Sequence, residues 1–315
     1  MDSHPVAAIT GASGFIGGFL IRLLAENGYA VRALGRSISE TVPAPQACIG
    51  DLADPHNLDD ALAGVDYVIH AAGLAHSTQM RDDEPYQAVN FRGTVALARA
   101  ARRNGVRRFI HLSSVRALCG PTAKGIVTDD TPHAPTDAYG RSKRDAELFL
   151  MEGGADGPDD WAVLRPVLTY GPGVKGNMAR LLRLARSPLP LPFGRLSGKR
   201  SLVSLHNLGG GVLHLLRLPG AVNRAFLVAD DTPVTVPEII TALRGGLGRS
   251  PGLIGIPESF LTAGCAALGK GEAFARLSGN LMVDTSALKS TGWAPMHDAP
   301  AGLAELPRQV LRRPG

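Results

Sequence analysis

Cysteine is scarce: Cys48, Cys119 and Cys265 are the only three in 315 residues. They are odd in number and far apart, which excludes a disulfide scaffold, and no Cys-x-x-Cys or Cys/His spacing offers a zinc site. His4, His56 and His111 are scattered, so no metal is expected. Long apolar runs are missing too. The most apolar late stretch, residues 253–268, is broken by Pro257, Glu258 and glycines and is too short to span a bilayer. The N-terminus, MDSHPVAAITGASG, has no basic segment followed by an apolar one, so no secretory signal is expected and the expected location is the cytoplasm. Charged tracts are absent as well. An apolar share of 44% against 19% charged excludes a disordered chain and argues for a folded core.

The charge that is present is mostly basic, with a net charge of +5 and a pI near 9.3. The densest basic patch is Arg99, Arg102, Arg103, Arg107 and Arg108. It falls where a helix should stop, at Asn104-Gly105, and cations there suit the negative pole of the helix dipole. No nucleic-acid recognition motif accompanies it, so nucleic acid is not an expected partner. A basic protein also suits anionic substrates such as nucleotide diphosphates.

Apolar patterning predicts strands at 6–10, 30–34, 67–70, 108–112, 161–165 and 226–228, with helices at 15–27, 58–63, 86–103 and 139–151 between the first five. Strands separated by helices need crossover connections, hence a parallel sheet covered on both faces. The expected fold is α/β: a Rossmann-type doubly wound parallel sheet with a smaller mixed α/β C-terminal substrate lobe. Residues 1–168, completed by part of 200–229, should form the dinucleotide-binding domain. The second half of the chain is rich in proline and glycine at first and helical near 178–186, 208–218, 237–247 and 257–268, and within it residues 169–199 and 230–315 should form the lobe.

Thr10 to Gly17 reads TGASGFIG, between the first strand and first helix. Gly11 permits the tight turn, Gly14 lets backbone approach a pyrophosphate, and Gly17 lets the helix pack on the sheet. Ser13, Phe15 and Ile16 complete a loop whose N–H groups suit an anion at a helix N-terminus. Cofactor choice is read at the end of the second strand, where a carboxylate would bond the adenosine ribose of NAD. AVRALGRS has none there; Arg36, helped by Arg32 or Ser37, suits a 2′-phosphate instead. NADP(H) is therefore favoured, with NAD(H) as the alternative if Arg36 only stacks on adenine. Ala71-Ala72-Gly73 lacks bulk, as befits backbone passing close to a cofactor.

Tyr139-Gly140-Arg141-Ser142-Lys143 sets Tyr139 and Lys143 four apart, on one helix face. A free tyrosine titrates near 10, too high for a base at neutral pH. A neighbouring ammonium lowers that value, so the phenol can exchange a proton with an alcohol while hydride moves. A third hydroxyl should come from Ser113 or Ser114, at the end of the preceding strand.

The Gly-x-x-Gly-x-x-Gly spacing, with Tyr-x-x-x-Lys, resembles the short-chain dehydrogenase/reductase superfamily. The length and second lobe resemble its extended branch of nucleotide-sugar epimerases, dehydratases and reductases. The resemblance implies that Ser114, Tyr139 and Lys143 are catalytic, that Asp51 and Leu52 contact adenine, and that Lys143 bonds the nicotinamide ribose. It implies that Asn90 braces backbone or water near that lysine, and that Pro166 and Val167 lie against the nicotinamide amide. Asn177 and Arg200 are the matches to residues that hold a diphosphate. Asp284 matches a ribose contact or a helix cap, and Trp293 reads as core. The chain departs from the pattern at Leu118-Cys119-Gly120, where Val-Tyr-Gly is common, and at Val115-Arg116, where dehydratases carry Asp-Glu. The stretch GPGVKGNMARLLRLARSPLPLPFG is similar to the reductases and 4-epimerases of bacterial polysaccharide assembly.

The function so implied is hydride transfer at C4 of a nucleotide sugar. A UDP-4-keto-hexose reductase comes first, and a UDP-hexose or N-acetylhexosamine 4-epimerase with tightly bound NAD second. A hydroxysteroid- or flavonoid-type ketone reductase and a non-catalytic NAD(P) sensor are further alternatives. The implied partner is a nucleotide-diphosphate sugar, and the implied assembly a homodimer.

Overall fold

Seven short strands line up in one sheet in the order 46–48, 30–35, 6–10, 67–70, 108–112, 161–166 and 224–228, every neighbouring pair parallel. The computed structural model describes residues 4–74 and 82–311. Along the chain, β1 (Val6–Thr10) leads into α1 (Phe15–Glu26), β2 (Ala30–Gly35), β3 (Gln46–Cys48), α2 (Leu58–Leu62) and β4 (Tyr67–His70). Then α3 (Glu84–Tyr86) runs through a π-type turn (Gln87–Arg92) into α4 (Gly93–Arg103), followed by β5 (Arg108–Leu112) and β6 (Ile126–Val127). Next come α5 (Ala138–Glu152), β7 (Trp161–Pro166) and β8 (Leu168–Tyr170), then α6 (Gly176–Arg186), β9 (Lys199–Arg200) and β10 (Leu202–Ser204). After α7 (Leu205–Arg217) come β11 (Arg224–Val228), β12 (Val234–Thr235), α8 (Val236–Gly246), α9 (Glu258–Ala267) and α10 (Gly271–Ser278). β13 (Met282–Val283), α11 (Ser286–Lys289) and α12 (Ala299–Leu311) close the chain.

This is the doubly wound α/β sheet that the alternation of apolar runs and helical periods predicts. Every residue of β5 and β7 is buried, as expected of parallel strands covered on both faces. Helix ends follow local chemistry. Gly28 takes a positive φ of 85° just past α1, and Asn27 caps that helix through the carbonyl of Leu23. Ser204 caps α7 through the N–H of Asn207, and Thr235 with Glu238 forms a capping box on α8.

Small two-stranded sheets (β8 with β10, β9 with β12, β6 with β13) join the remaining segments. Tyr170, Met178, Leu181, Ile239, Ile240 and Leu303 belong to a core of their own under α6, α8 and α12. One buried cation fixes α7 to the sheet. Arg108 of β5 pairs with Asp160 at 2.7 Å and donates to the carbonyls of Leu215, Leu218 and Gly220 at the end of α7.

Candidate active site

The strand order reverses about β1, so the crevice beyond the C-terminal ends of β1 and β4 is where an α/β sheet admits a ligand. The glycine loop lies there. Gly11 has φ of 72°, and a Cβ on it would come within 2.8 Å of the Ala72 backbone nitrogen. A Cβ on Gly17 would fall on the Gly11 carbonyl, so the helix packs onto its own loop only without one. Gly14 donates to that carbonyl at 2.9 Å and enters α1 with no side-chain cap. Ser13, Phe15 and Ile16 therefore bracket an uncapped helix N-terminus, a cradle that fits a dinucleotide pyrophosphate.

The Ala71-Ala72-Gly73 loop closes the floor. Ala72 donates to the Thr10 hydroxyl at 3.1 Å. A Cβ on Gly73 would come within 2.9 Å of Asn90 Oδ1 and 3.3 Å of Lys143 Nζ. That one bare backbone thus meets both α5 and the π-type turn. Asn90 is fully buried. It accepts from the Leu74 N–H, donates to the Leu74 carbonyl, and donates to Ser142 Oγ at 3.0 Å.

Three side chains converge at the end of β5. Asp137 caps α5 by accepting from Gly140 N–H at 2.8 Å. A Cβ on Gly140 would strike the Arg116 carbonyl, so α5 begins hard against the turn after β5 and presents Tyr139 to it. The Ser114 hydroxyl faces the Tyr139 phenol. Burial pushes the phenol above its ordinary value, while Ser114 and the Arg116 cation pull it back. Tyr86 lies edge-on to Tyr139 with ring centroids 6.3 Å apart. Lys143 is buried and donates to the Leu112 carbonyl at 2.9 Å. Burial pushes it down to about 8, with Glu147 acting the other way.

The two serines part company. Ser113 Oγ donates to Glu147 Oε1 at 2.5 Å and is buried in a charge network. Ser114 Oγ accepts from Arg116 N–H at 3.2 Å and is the hydroxyl that meets Tyr139.

That network has no motif in the sequence. Arg165 of β7 is 1% exposed and grips the fully buried Glu147 with two bonds of 3.0 and 2.8 Å, reaching Asp129 at 3.3 Å. The available signal was a lone arginine in the buried run WAVLRP and a glutamate four residues after Lys143.

Toward the adenosine end, Arg36 is exposed and 3.6 Å from the Asp51 carboxylate, which also accepts from Ala53 N–H at 2.9 Å. Leu52 is buried, with a Cβ on Gly93 fouling its carbonyl. Arg32 turns away, donating to the carbonyls of Ala61 and Ala63. It caps α2 and does not assist Arg36. Pro166 and Val167 are buried where β7 ends.

Arg200 donates to the carbonyls of Gly279 at 3.1 Å and Pro121 at 2.9 Å. It thus ties the lobe to the loop that follows Ser114. Burial first, and Arg116 second, lower its affinity for a proton. Asn177, in the first turn of α6, is exposed, 3.5 Å from Arg180. Asp284 accepts from Ser286 N–H at 2.7 Å, a side-chain turn just ahead of α11, whose N-cap position is Thr285, and Trp293 is buried. Among the described residues, no group of three or more His, Cys, Asp or Glu is placed to hold a metal, and no helix is long and apolar enough to cross a membrane.

A family model described as the NAD dependent epimerase/dehydratase family matches residues 7–229. A UDP-glucose 4-epimerase of Vibrio cholerae is 34% identical over 312 residues, spanning 96% of this chain and 95% of that protein. A ceramide reductase of Caulobacter vibrioides is 31% identical over 271 residues, 84% of this chain and 77% of that protein. Among solved structures, a UDP-glucose 4-epimerase of Thermotoga maritima crystallised with UDP-glucose superposes with a TM-score of 0.77 at 22% identity, covering 98% of each chain.

Proposed function

The chain belongs to the NAD-dependent epimerase/dehydratase family, and from that premise we propose that it catalyses hydride transfer at C4 of a nucleotide-diphosphate sugar. The observation that carries the reading is the Ser114 hydroxyl facing Tyr139, one turn from buried Lys143 and next to a glycine cradle.

A nicotinamide bound in the cradle supplies or accepts the hydride. Tyr139 gives or takes the proton of the C4 oxygen, and Ser114 bonds that oxygen so that it faces the phenol. Lys143, steered by the Leu112 carbonyl, places positive charge where it makes the Tyr139 phenolate less costly. Gly11, Ser13, Gly14, Phe15, Ile16 and Gly17 hold the pyrophosphate. Arg36, Asp51 and Leu52 surround the adenosine, and Ala71, Ala72, Gly73, Asn90, Pro166 and Val167 wall the nicotinamide. Arg116 and Arg200 together bring positive charge to the substrate side, which favours a diphosphate over an apolar ketone. Asn177 is the further candidate for that diphosphate. An intact Tyr139–Lys143 pair speaks against a non-catalytic sensor.

The 4-epimerase form of the reaction, with hydride removed and returned to the opposite face, is supported by whole-length likeness to the Vibrio protein. One observation favours a second form, reduction of a 4-keto sugar by NADPH: β2 is followed directly by Arg36, with no carboxylate at its end, the arrangement that suits a 2′-phosphate. Asp51, 3.6 Å from Arg36, competes for that guanidinium.

The test is to release and identify nucleotide carried by the purified protein, then supply UDP-hexoses and, separately, a UDP-4-keto-hexose with NADPH. Interconversion of UDP-hexoses without net NADPH loss establishes the epimerase. NADPH consumed one for one with ketone establishes the reductase. Turnover of neither sinks the proposal.

A further inference from the structure

No residue of helix α9 is fully buried, and only Leu261 and Cys265 of it pack against the core. Phe260 is 71% exposed, and Leu268, at its end, 73%. Leu189 and Ile254 also stand out of this lobe, 67% and 49% exposed. These two are fixed in place. Buried Arg244 of α8 donates to the carbonyls of Ser187 and Leu189 on one loop and of Pro251 and Gly252 on the other. Leu191 accepts from Ile254 N–H at 2.8 Å and donates to Gly252 at 2.9 Å. A buried cation thus clamps two loop tips side by side with apolar side chains outward, and α9 follows directly from one of them. Fixed, exposed apolar surface of this kind marks a contact site.

Charge selects the occupant. Between Asp160 and Asp230 the chain carries ten lysines and arginines and no carboxylate side chain. Arg180, Arg183 and Arg186 are exposed on α6, which leads straight into the Leu189 tip. Arg249 bonds the Arg186 carbonyl, and Lys270 follows Leu268. Glu272, the carboxylate on α10, is paired with Arg276. A second copy of this face would bring the arginines against their own images, so self-pairing is disfavoured. Glu258 opens α9, and aromatic and aliphatic side chains beside cations without an ion-pair partner among the described residues match the headgroup boundary of an anionic bilayer.

We propose that the Leu189 and Ile254 tips, α9 and the outer face of α6 form a peripheral docking surface for an anionic membrane. Leu189, Ile254 and Phe260 enter the headgroup boundary, and Arg183 and Arg186 pair with lipid phosphates. This surface is separate from the Ser114–Tyr139–Lys143 site, and its test is independent of the reaction assigned to that site.

The experiment is co-sedimentation of the full chain with vesicles of phosphatidylcholine alone and of phosphatidylcholine with phosphatidylglycerol. Binding is expected only with phosphatidylglycerol, and high salt should release it. Arg183→Glu with Arg186→Glu should weaken binding by about twentyfold or more, and Leu189→Ser with Phe260→Ser by about tenfold. All four sites are exposed, so folding should be kept; the two pairs act through different forces, and melting curves check each. No binding to either vesicle overturns the proposal, as does binding that both pairs leave unchanged. Vesicle-free dimerisation abolished by the same substitutions also overturns it, by making the face a self-association site.

Discussion

Tyr139 and Lys143 lie one turn apart on α5, and burial acts on both in the direction that disfavours their charge. For Lys143 the consequence has a definite sign. Its folded value of about 8 is below the ordinary 10.5. The unfolded chain therefore binds more protons between those pH values, and stability rises with pH across that window. The ammonium costs roughly 3 kcal/mol at neutral pH by the size of that shift. Lys143→Met is expected to melt above wild type at pH 7, with the gap closing toward pH 10, as scanning calorimetry at several pH values will show. Activity should behave oppositely, falling as Lys143 loses its proton above pH 8. Glu147→Gln removes the carboxylate that raises Lys143, so the alkaline limb of kcat/KM should move toward neutral pH. A purely structural Glu147 would lower the profile without moving that limb. Tyr139→Phe should reduce turnover by about a hundredfold or more while retaining cofactor, checked by steady-state rates and nucleotide titration. The phenol, the lysine and the glycine loop were legible in sequence because their spacing is local. The choice between Ser113 and Ser114 was not, because it turns on which hydroxyl Glu147 captures from across the helix.

The elements repeat that division. Strands read as apolar runs appear within a residue or so of their expected ends, since burial on both faces leaves no other pattern for them. β3 escaped notice: Gln46–Cys48 is half exposed and carries no apolar run. The helix expected at 86–103 starts at Glu84 and passes through a π-type turn, where the Thr94 hydroxyl donates to the Asn90 carbonyl at 2.6 Å. No side-chain period announces such a turn. The helix expected from 208 begins at Leu205, because Ser204 supplies the cap. Across elements, Arg165 and Glu147 tie β7 to α5 with almost no solvent access. Removing one partner of such a pair strands the other charge, whereas removing both restores an apolar contact. Arg165→Leu is expected to cost about 3–5 kcal/mol in denaturant unfolding. The double substitution with Glu147→Leu should recover most of that loss. Asp129, already pushed up to about 6 by burial despite Arg165, should rise further in the single variant. That rise is readable by carboxylate NMR titration.

At the scale of the whole molecule, charge is segregated. The stretch without a carboxylate between Asp160 and Asp230 includes β9 with Arg200, and Arg200 ties that strand to the loop after Ser114. Arg116 lies near enough to depress Arg200, so two cations share this approach. Arg116 is paired with Asp137, whereas Arg200 donates to carbonyls, so Arg200 is the cation of the two whose charge an arriving diphosphate would meet without a counter-ion among the described residues. The chain's net charge of +5 acts in the same sense at longer range. A basic cleft raises the encounter rate of an anionic substrate, and salt screens it over about 8–10 Å at physiological strength. kcat/KM for a nucleotide-diphosphate sugar, measured without lipid, should therefore fall several-fold as salt rises from low to physiological strength, with kcat little changed. Arg200→Met should flatten that dependence and raise KM. Should a small uncharged ketone prove to be a substrate, its kcat/KM would stay level across the same salts. A level profile for the sugar nucleotide itself would mean that the acid-free stretch does not face the substrate, and would remove the electrostatic part of the case for a diphosphate.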